Sequence, residues 1–355
     1  MKSALVFCSL SLLTAAVFAQ PKGAPAPPLA ACGVHGDTEI LCGTRSPEDV
    51  ELTPDGKQLI VAQFVNGRGG TGAGLVLFDL AKKTYSPIAI TAEPDKNWGD
   101  PSCPGPVGDA LIPHGISLAK RNGGAWEHYV VNHGGRQSME MYELKPAGGT
   151  WSLRWRGCVP SEKDFNDVAA LPDGSFVATH PTAMRAQGDT SDLFGGAPSG
   201  WVSRWSRDGG EKELPGTRQG YPNGILATAD GRYLYFNAWT AKEVHRYDLK
   251  AGKETGVVKL NFMPDNITWM RNGHLLAAGV KSARGECPAG SGTPCIQTFG
   301  VADIEPGRMQ ARDVYDSEGK GPSPISGVSV ALEVGKDMYI GAFQGDRLVK
   351  MPLKK

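Results

Sequence analysis

This 355-residue sequence lacks the marks of several kinds of chemistry. Lys+Arg and Asp+Glu both number 37, so no net charge draws the chain to nucleic acid or to an acidic membrane face. It has no C-x-x-C pair and no Cys/His cluster at zinc spacing, which argues against cysteine as a metal ligand. A G-x-S-x-G nucleophile elbow and an H-E-x-x-H motif are also missing, against an α/β-type serine hydrolase and a zinc protease. Long stretches with a helical period are nearly absent, while glycine (47) and proline (26) are plentiful, as in short strands joined by turns.

The start, MKSALVFCSLSLLTAAVFAQ, has Lys2, a short apolar run and the ending Val17-Phe18-Ala19. It predicts a secretory signal over residues 1–19, cleaved near Ala19 and too short to serve as a membrane anchor. The Pro/Gly-rich residues 20–36 read as a flexible leader, and residues 37–355 as one domain, secreted or periplasmic. Without Cys8 there remain Cys32, Cys42, Cys103, Cys158, Cys287 and Cys295, an even number for an oxidising compartment. Disulfides are expected; Cys32–Cys42, Cys287–Cys295 and Cys103–Cys158 is one pairing, and spacing alone leaves the connectivity open.

The stretch FNDVAALPDGSFVATH (165–180) couples two polar residues to an apolar run, an Asp-Gly turn and a second apolar run. Related stretches start at Pro47, Pro113, Pro222, Pro264 and Pro324, giving six copies with a period of about 56 residues, the range of propeller arrays. Most are followed by another strand-like run, such as LVLFDL, SMEMYEL, WVSRW, VHRYDL and LVKMPL, and then by shorter ones including TYSPIAI, WSLRWRG and VVKLNF. Each unit predicts four antiparallel strands, so the fold expected is an all-β six-bladed propeller. The sixth unit ends after its third strand, and DTEILC (37–42) is expected to supply the fourth and close the ring.

Innermost strands line a propeller's channel, so the positions opening the six units become neighbours. The first reads Glu48, His114, Asn166, Asn223, Asp265 and Ser326, and the second Asp49, Gly115, Asp167, Gly224, Asn266 and Gly327. Carboxylates and amide oxygens gathered there suit Ca²⁺. Glu48, Asn166, Asn223, Asp265 and Asn266 form one candidate set, and Asp49, Asp167 and the Ile116 carbonyl a second, deeper one. His114 starts one strand of a hairpin and His133 ends the next, which predicts two adjacent imidazoles at the metal end, one fit to take a proton and one to orient it. Gln63, His180, Tyr221, Asn237 and Phe343 are weaker candidates for substrate walls near that mouth.

The ordered segments SPEDVEL, PHGIS, VVNH, FNDV, YPNGI with GRYLYF, and PDNI resemble the paraoxonase/arylesterase family over about residues 40–350. The resemblance implies a catalytic calcium on the first set, a structural calcium on the second, a His114–His133 dyad, and hydrolysis of lactones and aryl esters; the short apolar run at the start and the balanced charge, and not the resemblance, speak against a stable membrane anchor and a nucleic-acid partner. The sequence departs from the animal enzymes in LVKMPLKK, which has no cysteine for their terminal disulfide, and in the loop 181–200. Two alternatives stand beside it. Gluconolactonases and senescence-marker proteins resemble the chain in the Glu/Asn/Asn/Asp quartet and generally lack the two histidines; a non-catalytic, calcium-stabilised binding module would need no such pair.

Overall fold

Where the repeat places Asp-Gly or Asn-Gly, the chain reverses. In the third unit Asp173 Oδ1 accepts the Ser175 N–H at 3.0 Å, and Gly174 follows at φ +81°, a conformation that would strain a side chain. Asp55, Asp230 and Asn272 accept the N–H of Lys57, Arg232 and His274 in the same way. Each turn joins an inner strand to its neighbour in an antiparallel hairpin.

The computed structural model describes residues 29–65, 72–181, 198–281 and 298–354. The first strands are β1 (Gly33–His35) and β2 (Thr38–Cys42). Blade one holds β3 (Pro47–Leu52), β4 (Gln58–Gln63), β5 (Gly74–Asp79) and β6 (Thr84–Pro87), and β7 (Ala89–Ala92) follows. Blade two holds β8 (Pro113–Lys120), β9 (Trp126–Asn132), β10 (Ser138–Ala147) and β11 (Thr150–Pro160). Blade three holds β12 (Val168–Ala170), β13 (Phe176–His180), β14 (Trp201–Ser206) and β15 (Gly210–Glu213). Blade four holds β16 (Pro222–Ala227), β17 (Tyr233–Ala238), β18 (Glu243–Asp248) and β19 (Lys253–Lys259). Blade five holds β20 (Met263–Trp269), β21 (Leu275–Val280), β22 (Phe299–Glu305) and β23 (Gln310–Asp316). Blade six holds β24 (Val328–Val334), β25 (Asp337–Ala342) and β26 (Arg347–Pro352), completed by β2 and β1.

The protein is thus a six-bladed propeller of mainly four-stranded antiparallel blades. Its inner strands β3, β8, β12, β16, β20 and β24 touch in that order and return to β3. The ring closes as the sequence implied, with β2 antiparallel to β26 and Ile40 opposite Val349. Two details differ from the expectation. Gly33–His35, read with the leader, forms a strand paired with β2. TYSPIAI is not one strand: it breaks after Pro87, and β7 crosses to run parallel to β11 as a fifth strand of blade two.

Because both faces of every blade meet a neighbour, strands read as unbroken apolar runs; Leu59, Ile60, Val61 and Ala62 are all fully buried. Apolar clusters fill all six blade junctions, from Ile60 and Leu77 against Val130 and Leu153 round to Leu348 and Val330 against Val61 and Phe78. Each large side chain so buried contributes roughly 1.5–3 kcal/mol relative to exposure. Disulfides join Cys32 to Cys42 and Cys103 to Cys158. The expected Cys287–Cys295 bond, the signal segment and most of the loop 181–200 lie outside the described residues. No helix of the described residues is long and apolar enough to cross a membrane.

Candidate metal centre and histidine pair

Most inner strands begin with a break in register. In blade one Pro47 pairs with Gln63 and Asp49 with Ala62, leaving Glu48 as an extra residue. The breaks in blades two, four and five lie between Pro113 and Ile116, Pro222 and Ile225, and Pro264 and Ile267, at His114, Asn223 and Asp265. Such bulges re-aim side chains out of the ladder. In blade three Asn166 and Asp167 precede β12, their N–H groups donating to Thr179 O (2.9 Å) and Thr179 Oγ1 (3.1 Å). Blade six departs from the repeat as read. Its break falls between Val328 and Val330, so Ser329, not Ser326, occupies the position of Glu48, and its hydroxyl donates to Glu48 O at 2.5 Å.

The predicted first set comes together at one end of the axis. Asn266 Nδ2 donates to Glu48 Oε1 at 2.8 Å, Asn223 bonds the Asp265 side chain, and Asn237 Nδ2 donates to Asp265 O at 2.7 Å. Glu48, Asn166, Asn223, Asp265 and Asn266 are all buried. Glu48 Oε2 and the Oδ1 atoms of Asn166, Asn223 and Asn266 are nevertheless left without a hydrogen-bond donor. Orphaned buried oxygens are costly, and four in one ligand set make this set fit a cation. The carboxyls agree: burial, then the charges of Asp49, Asp265 and Asp167, holds Glu48 well above the usual carboxylate range. Burial likewise pushes Asp265 up to about 8 against the opposing bond from Asn223. No three His, Cys, Asp or Glu side chains among the described residues gather as a softer metal's donors would, so the donors on offer are carboxylate and amide oxygens.

The second row is differently engaged. Asp49 accepts the Val50 and Ile116 N–H groups, both at 2.8 Å, and Asp167 accepts those of Val168 and Ile225, both at 2.7 Å. These carboxylates tie blade one to two and blade three to four, and Ile116 meets Asp49 through its N–H. The alternation of Asx and glycine along this row has a steric cause. A Cβ on Gly115 would stand 2.5 Å from Asp167 Cα, and one on Gly224 2.6 Å from Asn266 Cα. Glycine there makes room for the next blade's acidic or amide residue.

Beside the first set, His114 Nδ1 lies 3.0 Å from His133 Nε2, and His114 Nε2 lies 3.8 Å from Glu48 Oε1. Phe64 stacks on the His114 ring at 4.2 Å and 6°, and His133 Nδ1 lies 2.7 Å from Gln137 Oε1. Phe64 and Gln137 were not singled out in the sequence; only the lengths of the hairpin loops could have pointed to them.

The candidate wall residues divide. Tyr221, held at φ +54°, packs its ring 5.4 Å from Trp239, and Phe343 joins Trp239, Met263 and Val280 in a small apolar cluster. Asn237 is fully buried and supports Asp265, while Gln63 Oε1 accepts from Thr44 Oγ1 and Arg45 N. His180 is fully buried between Trp201 and Phe165, with its ring nitrogens on Asp164 O and on Ser203 and Glu211. Packing and not the mouth accounts for it, because its ring faces the body of blade three.

Residues 114–285, just under half of the chain, match the family described as the SMP-30/Gluconolactonase/LRE-like region. Comparison with curated proteins gives no match. Among solved structures the chain is similar to a gluconolactonase from Xanthomonas campestris, with 16% identity and a TM-score of 0.51 over 94% of this chain and 99% of that one. It is also similar to a luciferin-regenerating enzyme, with 13% identity and a TM-score of 0.52 over 89% and 94%. At such identities the likeness of structures is one of fold, and the paraoxonase resemblance rests on the sequence segments quoted for it. The chain is a six-bladed propeller in which a match to the SMP-30/Gluconolactonase/LRE-like region runs from the start of blade two to residue 285, after the second strand of blade five.

Proposed function

We propose that this protein is a calcium-dependent lactone hydrolase. The observation that carries the proposal is the set of four orphaned, buried oxygens beside a pair of histidines in contact. Glu48, Asn166, Asn223, Asp265 and Asn266 would hold the ion, their two carboxylates matching its charge. Bound calcium supplies a Lewis acid that polarises the lactone carbonyl. His114 accepts a proton from water as the water oxygen bonds the carbonyl carbon, with His133 holding its orientation. The ring C–O bond then breaks, and the proton returns to the departing oxygen, giving a hydroxy acid. By charge, Asp49 and Asp167, with the Ile116 carbonyl, would take a second, structural ion; burial and then Asp49's charge already push Asp167 well up. Export belongs to the same proposal, since the two disulfides suit an oxidising compartment.

The family match of residues 114–285 supports a sugar-type lactone over an aryl ester as substrate. A second reading, a hydrophobic lactone or aryl ester, is favoured by the His114–His133 contact and by two groups of aromatic side chains, Phe64 on His114 and Tyr221, Trp239 and Phe343 packed together. Gluconolactone, a long-chain lactone and phenyl acetate, assayed with chelator and after calcium is restored, test both. Lactone turnover that chelation abolishes and calcium restores is expected, and the preferred ring decides between the readings. Turnover indifferent to chelator, or none on any of the three, overturns the proposal.

A further inference from the structure

Resting on the reading of His114 as the base, we propose that Gln137 is a positioning residue that fixes which nitrogen of each imidazole carries the proton. The Gln137 side-chain carbonyl can only accept, and it lies 2.7 Å from His133 Nδ1. His133 therefore carries its proton on Nδ1 and donates it to Gln137. Its Nε2 becomes an acceptor, with His114 Nδ1 standing 3.0 Å away as donor. The His114 proton then sits on Nδ1, which puts the basic lone pair on Nε2, the nitrogen 3.8 Å from Glu48 and turned to the converging oxygens. With the opposite tautomers that lone pair would point at His133 and no base would face the ligand set.

The turn that carries Gln137 is built to hold it still. Asn132, fully buried, accepts from Ile112 N and Gly134 N, both at 3.0 Å, and donates to Gly134 O and Arg136 O, both at 2.9 Å. Arg136 pairs with the buried Glu140 at 2.7 Å and reaches Cys158 Sγ of the disulfide at 3.3 Å. Gln137 O accepts from Ser161 N at 3.0 Å. Phe64 holds the other end of the relay by covering His114. An orienting group is effective when it is itself locked by its surroundings.

The test compares wild type, Gln137→Leu and Gln137→Glu, each with ¹⁵N-labelled histidine, in long-range ¹H–¹⁵N spectra at mildly alkaline pH. His114→Gln and His133→Gln assign the signals. Both wild-type rings should show the proton on Nδ1; Gln137→Leu should shift His133 to a mixture, and Gln137→Glu, which keeps an acceptor in place, should restore it. Lactone kcat should fall by about 10- to 100-fold in Gln137→Leu with KM little changed, the usual order for losing an orienting outer partner, and recover in Gln137→Glu. A wild-type His133 proton on Nε2, or Gln137→Leu rings unchanged in tautomer, overturns the role of Gln137. The spectra need no substrate, so a wild type that turns over no lactone overturns the hydrolase reading alone.

Discussion

On the proposed reading, side chains at the axis divide into those that would hold an ion and those that would handle a proton, and substitution separates the two. Asp265→Ala should lower calcium binding and hydrolysis together, whereas His114→Gln should keep its calcium and lose about 10²- to 10⁴-fold in lactone turnover, with a smaller loss for His133→Gln. Bound calcium and kcat/KM measured on the same preparations check this; unchanged turnover in a fully loaded His114→Gln protein would leave the dyad no role. Gly115→Ala drives a methyl group into Asp167 and should destabilise by about 1–3 kcal/mol in urea unfolding, as overpacking does. A pH effect arises on the second strand of blade two. His128 is fully buried, and burial pushes its pKa from 6.5 down to about 4. Between those values the unfolded chain binds more protons, so stability falls as pH drops through the window, by up to about 3 kcal/mol. His128→Leu should flatten that slope, and unfolding curves at both ends of the window would show an unaltered slope if it does not. Glu48, Asp265 and the Asx residues were legible because the repeat aligns them. Ser329 was not, because it follows Val328 and lacks the proline that precedes Glu48, His114, Asn223 and Asp265, and Gln137 was not, because its direction is set by a turn that the repeat does not encode. His180 shows the converse: position in the repeat gave its neighbourhood but not its facing.

Among the strands, β2 bears the heaviest duty. Ile40 packs into the junction of blades five and six, and Leu41, one residue on and facing the other way, into that of six and one. Ile40→Ala should therefore cost about 2–5 kcal/mol, the range for emptying a buried aliphatic site. Chemical denaturation reads it, and a loss of only about 0.5 kcal/mol, as at a surface position, would mean that closure does not depend on this strand. The hairpins were readable from apolar runs and, in five of the six units, from Asx-Gly turns, the sixth having Gly335 alone, since a hairpin's partner is the next segment of chain. β1 and β7 were not, for opposite reasons. The leader around β1 has no strand-like run, and in TYSPIAI the proline that ends β6 cannot donate to a ladder, so the residues after it are released to another blade.

The assembled ring ties stability to its proposed ions. A ligand bound only by the folded state adds about 4 kcal/mol at a thousandfold excess over Kd, so chelation should lower Tm as well as abolish activity, and Asp167→Ala should act mainly on Tm. A melting temperature indifferent to chelator, in protein shown beforehand to be loaded, would remove calcium from the account of stability. Architecture was legible at this level because six similar units can bury both faces only by closing on one another. Substrate choice was not, because the loops between second and third strands carry no repeat. The pairing of β2 with β26 also sets an order on biosynthesis. Residues 38–42 leave the ribosome among the first of the ring, yet their place in blade six does not exist until Arg347–Pro352 has followed them. Only then do β24 and β3 meet, and only then is Glu48 held against Asn266, made more than two hundred residues after it. A chain released early has an unsealed ring with open strand edges for proteases to find, so proofreading for completeness is built into the order in which the strands are made.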